Sequence, residues 1–152
     1  MNALRLGSAV AVGLLAGALS LEGLVLVPYW RSLRPDAFAD LHAGFAPLLY
    51  RFFAPLTAAA TSIALASGLA VAGQAERTPA DWSTVASSGL AVSLLAFYRL
   101  YFHAANKRLP VLAAARSDAA LSAELCRWQR IHLARTVVSV AAFVLATLGV
   151  TG

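Results

Sequence analysis

The side chains able to do acid–base or metal chemistry come from four separate stretches of this chain, yet they fall toward one end of the apolar segments that carry them. Glu22 stands near the inner end of the first apolar run, and His42 and Arg51 enter the second. Arg99, His103 and Asn106 follow i, i+4, i+7 spacing at the end of the third, which makes them one helical stripe over two turns. Trp128, His132 and Arg135 repeat that spacing at the start of the fourth. Two antiparallel helices can therefore present facing stripes, with Tyr50, Tyr98 and Tyr101 beside them. The chemistry this set supports is proton abstraction and anion stabilisation. His132 or Glu22 is the candidate proton acceptor and Arg135, with Asn106, the candidate partner of a developing oxyanion. Trp128 offers a ring for stacking, and His103, Arg99, Arg51, Tyr50 and His42 complete the expected binding set.

Each of these residues also has a plainer role to weigh. Long basic side chains snorkel toward water, and Trp and Tyr favour the headgroup zone. Glu22 and Arg135 resist that explanation because of depth. At a rise of 1.5 Å per residue, Arg135 is about 22 Å from Val150 and Glu22 about 27 Å from Leu4, inside or at the edge of hydrocarbon. An unpaired charge there is costly, so Glu22 is expected to pair with an arginine of another helix, Arg135 first and Arg51 or Arg99 second. Imidazole and carboxylate suit zinc, iron or copper, so Glu22, His42, His103 and His132 are the residues that would hold a metal or haem. Their spacing matches no metal motif. The sequence has no phosphate-binding glycine loop, no GxSxG, no HExxH and no Glu-x-x-His di-iron signature.

The elements that must position these residues follow from composition. In 152 residues, 60% are hydrophobic and only 12% charged, and the mean hydropathy is +0.72, outside the range of soluble domains. Four stretches approach the roughly 20 apolar residues that cross a bilayer core. Extended into their flanks, they predict an all-α membrane protein, an up-down four-helix bundle with spans at about 4–29, 46–72, 80–105 and 128–150. Residues 1–5 and the Ala16-Gly17-Ala18 triplet also resemble a cleaved signal peptide, but three further spans favour an uncleaved anchor. Thr78-Pro79-Ala80-Asp81 reads as an N-cap, a Pro at N1 and an acid at N3, so the third helix should start there. Pro28 and Pro35 are expected to bracket the first connection, and Pro110 to break the chain before Asp118–Gln129, which should run straight into the fourth helix. Pro47 and Pro55 are expected to kink the second. No polar segment is long enough for a soluble catalytic domain.

The basic residues set an orientation. Arg31, Arg34, Arg51, Arg99, Lys107, Arg108, Arg116, Arg127, Arg130 and Arg135 lie at one end, and only Arg5 and Arg77 at the other. The positive-inside rule then puts the chemical end in the cytoplasm and both termini outside, in an inner (plasma) membrane of bacterial type. A net charge of +5 distributed along membrane flanks argues against nucleic acid as a partner. The expected partners are the bilayer, a lipophilic small molecule and, through the Gly13-xxx-Gly17 pattern, either a neighbouring helix of the same bundle or a second copy of the chain. A lone cysteine, Cys126, excludes an internal disulfide.

The segment Asn106-Lys107-Arg108-Leu109, followed by Trp128-Gln129-Arg130-Ile131-His132-Leu133-Ala134-Arg135 and an apolar helix, resembles the small membrane family that includes the anthrone oxygenases, with its pattern N-x-x-L, then W-x-x-x-[NH]-x-x-R. The resemblance extends more loosely to Pro28, Phe45, Tyr50, Arg51 and Pro55 and so covers nearly the whole chain. A second, uncharacterised four-helix family shares the aromatic and His start of the last helix, and Arg135 favours the first. The resemblance implies oxidation of a lipophilic polycyclic aromatic by molecular oxygen without a recognised cofactor motif. Asn106, Trp128, His132 and Arg135 carry over from it, whereas Glu22, His42, Arg99 and His103 rest on the bundle reading alone. The expectation is a membrane oxidoreductase acting on an aromatic or quinone-like molecule, with two alternatives: a non-enzymatic binding or transport module for a lipid, quinone, haem or metal, or a structural partner subunit.

Overall fold

The computed structural model describes residues 2–152 and consists of four long helices, α1 (Ala3–Ser32), α2 (Pro35–Ala72), α3 (Pro79–Ala114) and α4 (Asp118–Thr151), each long and apolar enough to cross a membrane. Each helix packs against its neighbours in sequence and α1 also packs on α4, which closes an up-down bundle. The chain is a multi-pass membrane protein. Arg5 of α1 donates from Nη1 to the carbonyl of Gly149 of α4 at 3.0 Å, so both chain ends lie at the same end of the bundle. Val12, Ala64, Ala91 and Ala142, one from each helix, meet at its centre and are completely buried. Small residues allow this close approach, which in lipid must come from van der Waals packing rather than from expelled water. Gly13 shows the same economy of space, because a Cβ there would lie 2.7 Å from the Phe143 ring of α4. Gly17 faces open space, so the GxxxG pattern is used within the bundle at its first position only.

The helix limits differ from those expected in three places. Pro35 does bound the first connection, as the first residue of α2 at N1 behind an extended Arg34, where a residue without an N–H costs nothing, so that α2 starts about ten residues before the expected span. The connection shrinks to Leu33–Arg34, and α2 carries His42 and Arg51 on a helix that is continuous through Pro47 and Pro55. Pro28 lies inside the helical path of α1, two residues after the end of a π-helical segment, Glu22–Leu26, whose wider turn accommodates a ring that clashes in an α ladder. Pro110 is likewise inside α3, at an exposed site near the helix end where one lost bond costs little. That helix stops at Ala114. Arg116 then adopts φ 51° while Ser117 N–H bonds Leu112 O and Arg116 N–H bonds Ala113 O, a Schellman termination. At the other end the expected capping box forms: Thr78 Oγ1 accepts from Asp81 N–H, and the Asp81 carboxylate accepts from Thr78 N–H at 2.7 Å.

Candidate functional site

Between α2 and α3, toward the arginine-rich end, lies a cavity of about 630 Å³ whose inner walls come from α1 and α4. Its lining is mostly apolar. Trp30, Phe38, Phe102 and Trp128 form an aromatic wall in edge-to-face contact, with ring centroids 6.5 Å apart for Trp30–Phe38, 5.9 Å for Trp30–Trp128 and 5.0 Å for Phe102–Trp128. Phe45 and Tyr50 of α2 and Leu95 and Tyr98 of α3 both line the cavity and reach the outer surface, so it opens sideways through the α2–α3 seam. Glu22 and Arg135 are the charged groups in its depth, and His42, His103, Asn106 and Lys107 lie toward the basic end.

The expected ion pair between α1 and α4 is present. Arg135 Nη2 donates to Glu22 Oε2 at 3.2 Å, and both side chains are almost wholly buried. The same guanidinium stands 4.4 Å from the centroid of the Phe102 ring, a desolvated cation–π contact. Arg135 Nη2 also lies 3.1 Å from His132 Nδ1, while His132 Nε2 lies 2.8 Å from the backbone oxygen of Leu19. A carbonyl oxygen only accepts and a guanidinium only donates. His132 therefore carries its proton on Nε2 and presents the Nδ1 lone pair to Arg135. Trp128 lies face to face with the imidazole, centroids 4.7 Å apart and planes 11° from parallel, and its indole N–H donates to Asn106 Oδ1 at 3.0 Å. Asn106 of α3, the stripe of α4 and Glu22 of α1 thus join into one chain of contacts, Asn106–Trp128–His132–Arg135–Glu22.

Four of the expected placements need correction. His132 does not line the cavity. It is fully buried behind Trp128 and Arg135, so it cannot take a proton from a molecule in the cavity by direct contact. Arg99 does not share a face with His103 and Asn106, because a second π-helical segment, Tyr98–Phe102, breaks the 3.6-residue period between them and leaves Arg99 exposed and outside the lining. Arg51 is also exposed and off the cavity. Finally, Glu22, His42, His103 and His132 do not converge: among the described residues no group of three His, Cys, Asp or Glu side chains is placed to hold a metal ion. Glu22 and His132 approach each other, at 3.7 Å. Tyr50, His42, His103, Asn106, Trp128, Glu22 and Arg135 all line the cavity; Tyr101 is turned toward Glu124 of α4 instead.

Two features escaped the sequence reading. Phe102 hides in an aromatic run, Tyr98-Arg99-Leu100-Tyr101-Phe102, where no spacing rule marks the ring that meets Arg135. The π-helical segments of α1 and α3 each carry residues of the cavity wall, Glu22 on one and Tyr98 and Phe102 on the other. Such wide turns re-aim side chains and recur at functional sites, but they have no reliable sequence mark.

No curated protein and no solved structure matches the chain. The family model for anthrone oxygenase matches residues 45–145, a stretch that includes the greater part of α2, all of α3, most of α4 and, among the cavity residues, Tyr50, Phe102, Asn106, Trp128 and Arg135. The chain belongs to the anthrone oxygenase family.

Proposed function

We propose that the protein is a membrane oxidoreductase of the oxygenase type, acting on a lipophilic aromatic or quinone-like molecule that enters the cavity through the α2–α3 seam. The observation that carries this reading is a cavity of about 630 Å³, aromatic on one wall, with a carboxylate and a guanidinium in its depth. Sites for small molecules are typically clefts of about 300–1,000 Å³, mostly apolar with a few convergent polar groups. Family membership supports the reaction class.

Glu22 is the group positioned to accept a proton from an activated C–H of the bound molecule, since His132 is screened from the cavity. As Glu22 is protonated, Arg135 loses its counter-charge and is free to stabilise the substrate enolate oxygen. His132 holds the guanidinium from behind, and Trp128 and Phe102 flank the ring system. Dioxygen is the oxidant: the carbanion adds to it, forming a C–O bond and a peroxide. Glu22 returns its proton to the peroxide, and loss of the second proton from the same ring carbon with cleavage of the O–O bond releases water and leaves a carbonyl, so that one ring methylene and one dioxygen yield one ring carbonyl and one water. Glu22 thus carries the first ring proton to the peroxide, and Arg135 holds the negative charge in between.

The test is oxygen uptake by the purified chain in lipid nanodiscs with a hydroxylated anthrone, using isotopically labelled dioxygen and mass spectrometry of the product. Label in the new carbonyl is expected, and a Glu22→Gln variant should be slower by about 100-fold or more. Turnover unaffected by Glu22→Gln overturns the assignment. A second reading is favoured by the mutual neutralisation of Glu22 and Arg135 at rest: a module that holds a lipophile without transforming it. Retention of the anthrone with no oxygen uptake would support that reading instead.

A further inference from the structure

A second recess, of about 270 Å³, lies between α1 and α4 at the arginine-rich end, and the catalytic scheme makes no use of it. Its lining joins two chemistries. Arg31 and Arg130 supply positive charge, and no carboxylate lines the recess among the described residues. Leu24 and Leu133, 68% and 52% exposed, continue it along the outer surface of the bundle as an apolar track toward the hydrocarbon. Arg31 is held in place, donating from Nη1 to Gln129 Oε1 at 2.5 Å, and that bond to a neutral amide leaves its charge uncompensated. A pair of cations above an apolar track at a membrane boundary complements one kind of molecule, an acyl chain with an anionic head.

We infer that this recess is a binding site for an anionic phospholipid, the phosphate against Arg31 and Arg130 and one acyl chain along Leu24 and Leu133. Basic recesses between membrane helices bind anionic headgroups in this manner, each arginine contributing attraction that falls off within a Debye length. The inference is independent of the oxidation chemistry, since none of these residues lines the large cavity.

The chain's only cysteine reports on the site without any substitution, because Cys126 lines the recess and is partly exposed. In nanodiscs of phosphatidylglycerol, alkylation of Cys126 by the uncharged reagent N-ethylmaleimide should be several-fold slower than in phosphatidylcholine of the same acyl chains. In native mass spectrometry the full chain should retain phosphatidylglycerol in preference to phosphatidylcholine. Arg31→Gln and Arg130→Gln should each reduce that preference by about fivefold, whereas Arg116→Gln, at the same end but outside the recess, should leave it intact. Equal alkylation in the two lipids, or an equal loss of preference in Arg116→Gln, would reduce the effect to diffuse surface charge and overturn the site. Protection of Cys126 by millimolar inorganic phosphate in phosphatidylcholine would overturn the lipid assignment in favour of a free-phosphate site.

Discussion

Arg135 and Glu22 meet at 3.2 Å across the α1–α4 seam, with the guanidinium supported on its other sides by the Phe102 ring and by His132 Nδ1. Neither charge is tolerable alone at this depth, and removing one strands the other. Glu22→Gln and Arg135→Gln should each destabilise the bundle, and the double replacement should recover part of the loss. The expected coupling is on the order of 1 kcal/mol or more, read from thermal or denaturant unfolding in detergent. Strictly additive losses would mean that the pair contributes nothing. Ligand adds a second reading: if an anionic substrate takes Glu22's place on Arg135, Glu22→Gln should be stabilised more than the parent by an anionic ligand.

His132 acts on the site through Arg135 rather than by touching a molecule in the cavity. Its ring is fixed by Leu19 O at Nε2 and by the stacked indole of Trp128. Nitrogen NMR of the histidine-labelled chain should show Nε2 protonated and Nδ1 bare. His132→Phe keeps the stacking surface but leaves the Leu19 carbonyl with the longer 3.4 Å bond from Thr136 Oγ1 and strands one Arg135 donor, a loss of about 1–3 kcal/mol. A protonated Nδ1 in the parent would contradict the arrangement.

The four spans and the clustering of chemistry at one end were legible because both rest on strong, local rules, the length of an apolar helix and the asymmetry of Lys and Arg. The Glu22–Arg135 pair was legible for a related reason, since two charges at matching depth have few other partners. What stayed hidden depends on tertiary packing. The π turn at Tyr98–Phe102 carries no signature, so the i, i+4, i+7 stripe through Arg99 follows a period that the helix abandons. His132 shares a helix face with Trp128 and Arg135, yet whether it looks into a cavity or behind one depends on how closely α1 approaches. Asp81 had an adequate explanation as an N3 acid, which concealed its second partner, Arg5.

That approach of α1 depends on Gly23. A Cβ there would lie 2.7 Å from His132 Cδ2 and 3.1 Å from Nε2, so Gly23→Ala must push the imidazole off Leu19 O. We expect a cost of about 1–3 kcal/mol, against a helix-propensity gain of about 1 kcal/mol. Gly17, which faces open space, provides the contrast: Gly17→Ala should be neutral or slightly stabilising. Reduced self-association in Gly17→Ala, measured by analytical ultracentrifugation, would instead identify that face as a contact between copies of the chain.

Asp81 serves two structures at once, the start of α3 and an ion pair with Arg5, both side chains about 6% exposed. Asp81→Ala removes the carboxylate half of the capping box and leaves a buried guanidinium bonded to Gly149 O. Asp81→Ala is expected to lower the unfolding temperature in detergent, because it strands the Arg5 charge. Replacing Arg5 and Asp81 together by Met and Leu should restore most of that loss, because an apolar pair of similar volume avoids the desolvation cost. A mild effect of Asp81→Ala would show that the pair is open to water.

The same pair bears on orientation. Of the two arginines at the chain-end side, Arg5 is buried on Asp81, and Arg77 is engaged by the Ala72 carbonyl and stacked 5.1 Å from the Trp82 ring. The other end keeps exposed arginines beside both of its connections: Arg31 and Arg34 at Leu33–Arg34, and Arg116 in the turn before α4. Orientation follows the Lys and Arg count near short loops, and acidic residues contribute little. The arginine-rich end, and with it the phospholipid recess and the basic end of the cavity, is therefore expected in the cytoplasm. Alkaline phosphatase fused after Gly152 should be active and a fluorescent protein at the same position dark, since the first requires export and the second fails to mature after it. The reverse pattern in correctly inserted protein would invert the topology, and a phospholipid site at that end would then face the outer leaflet.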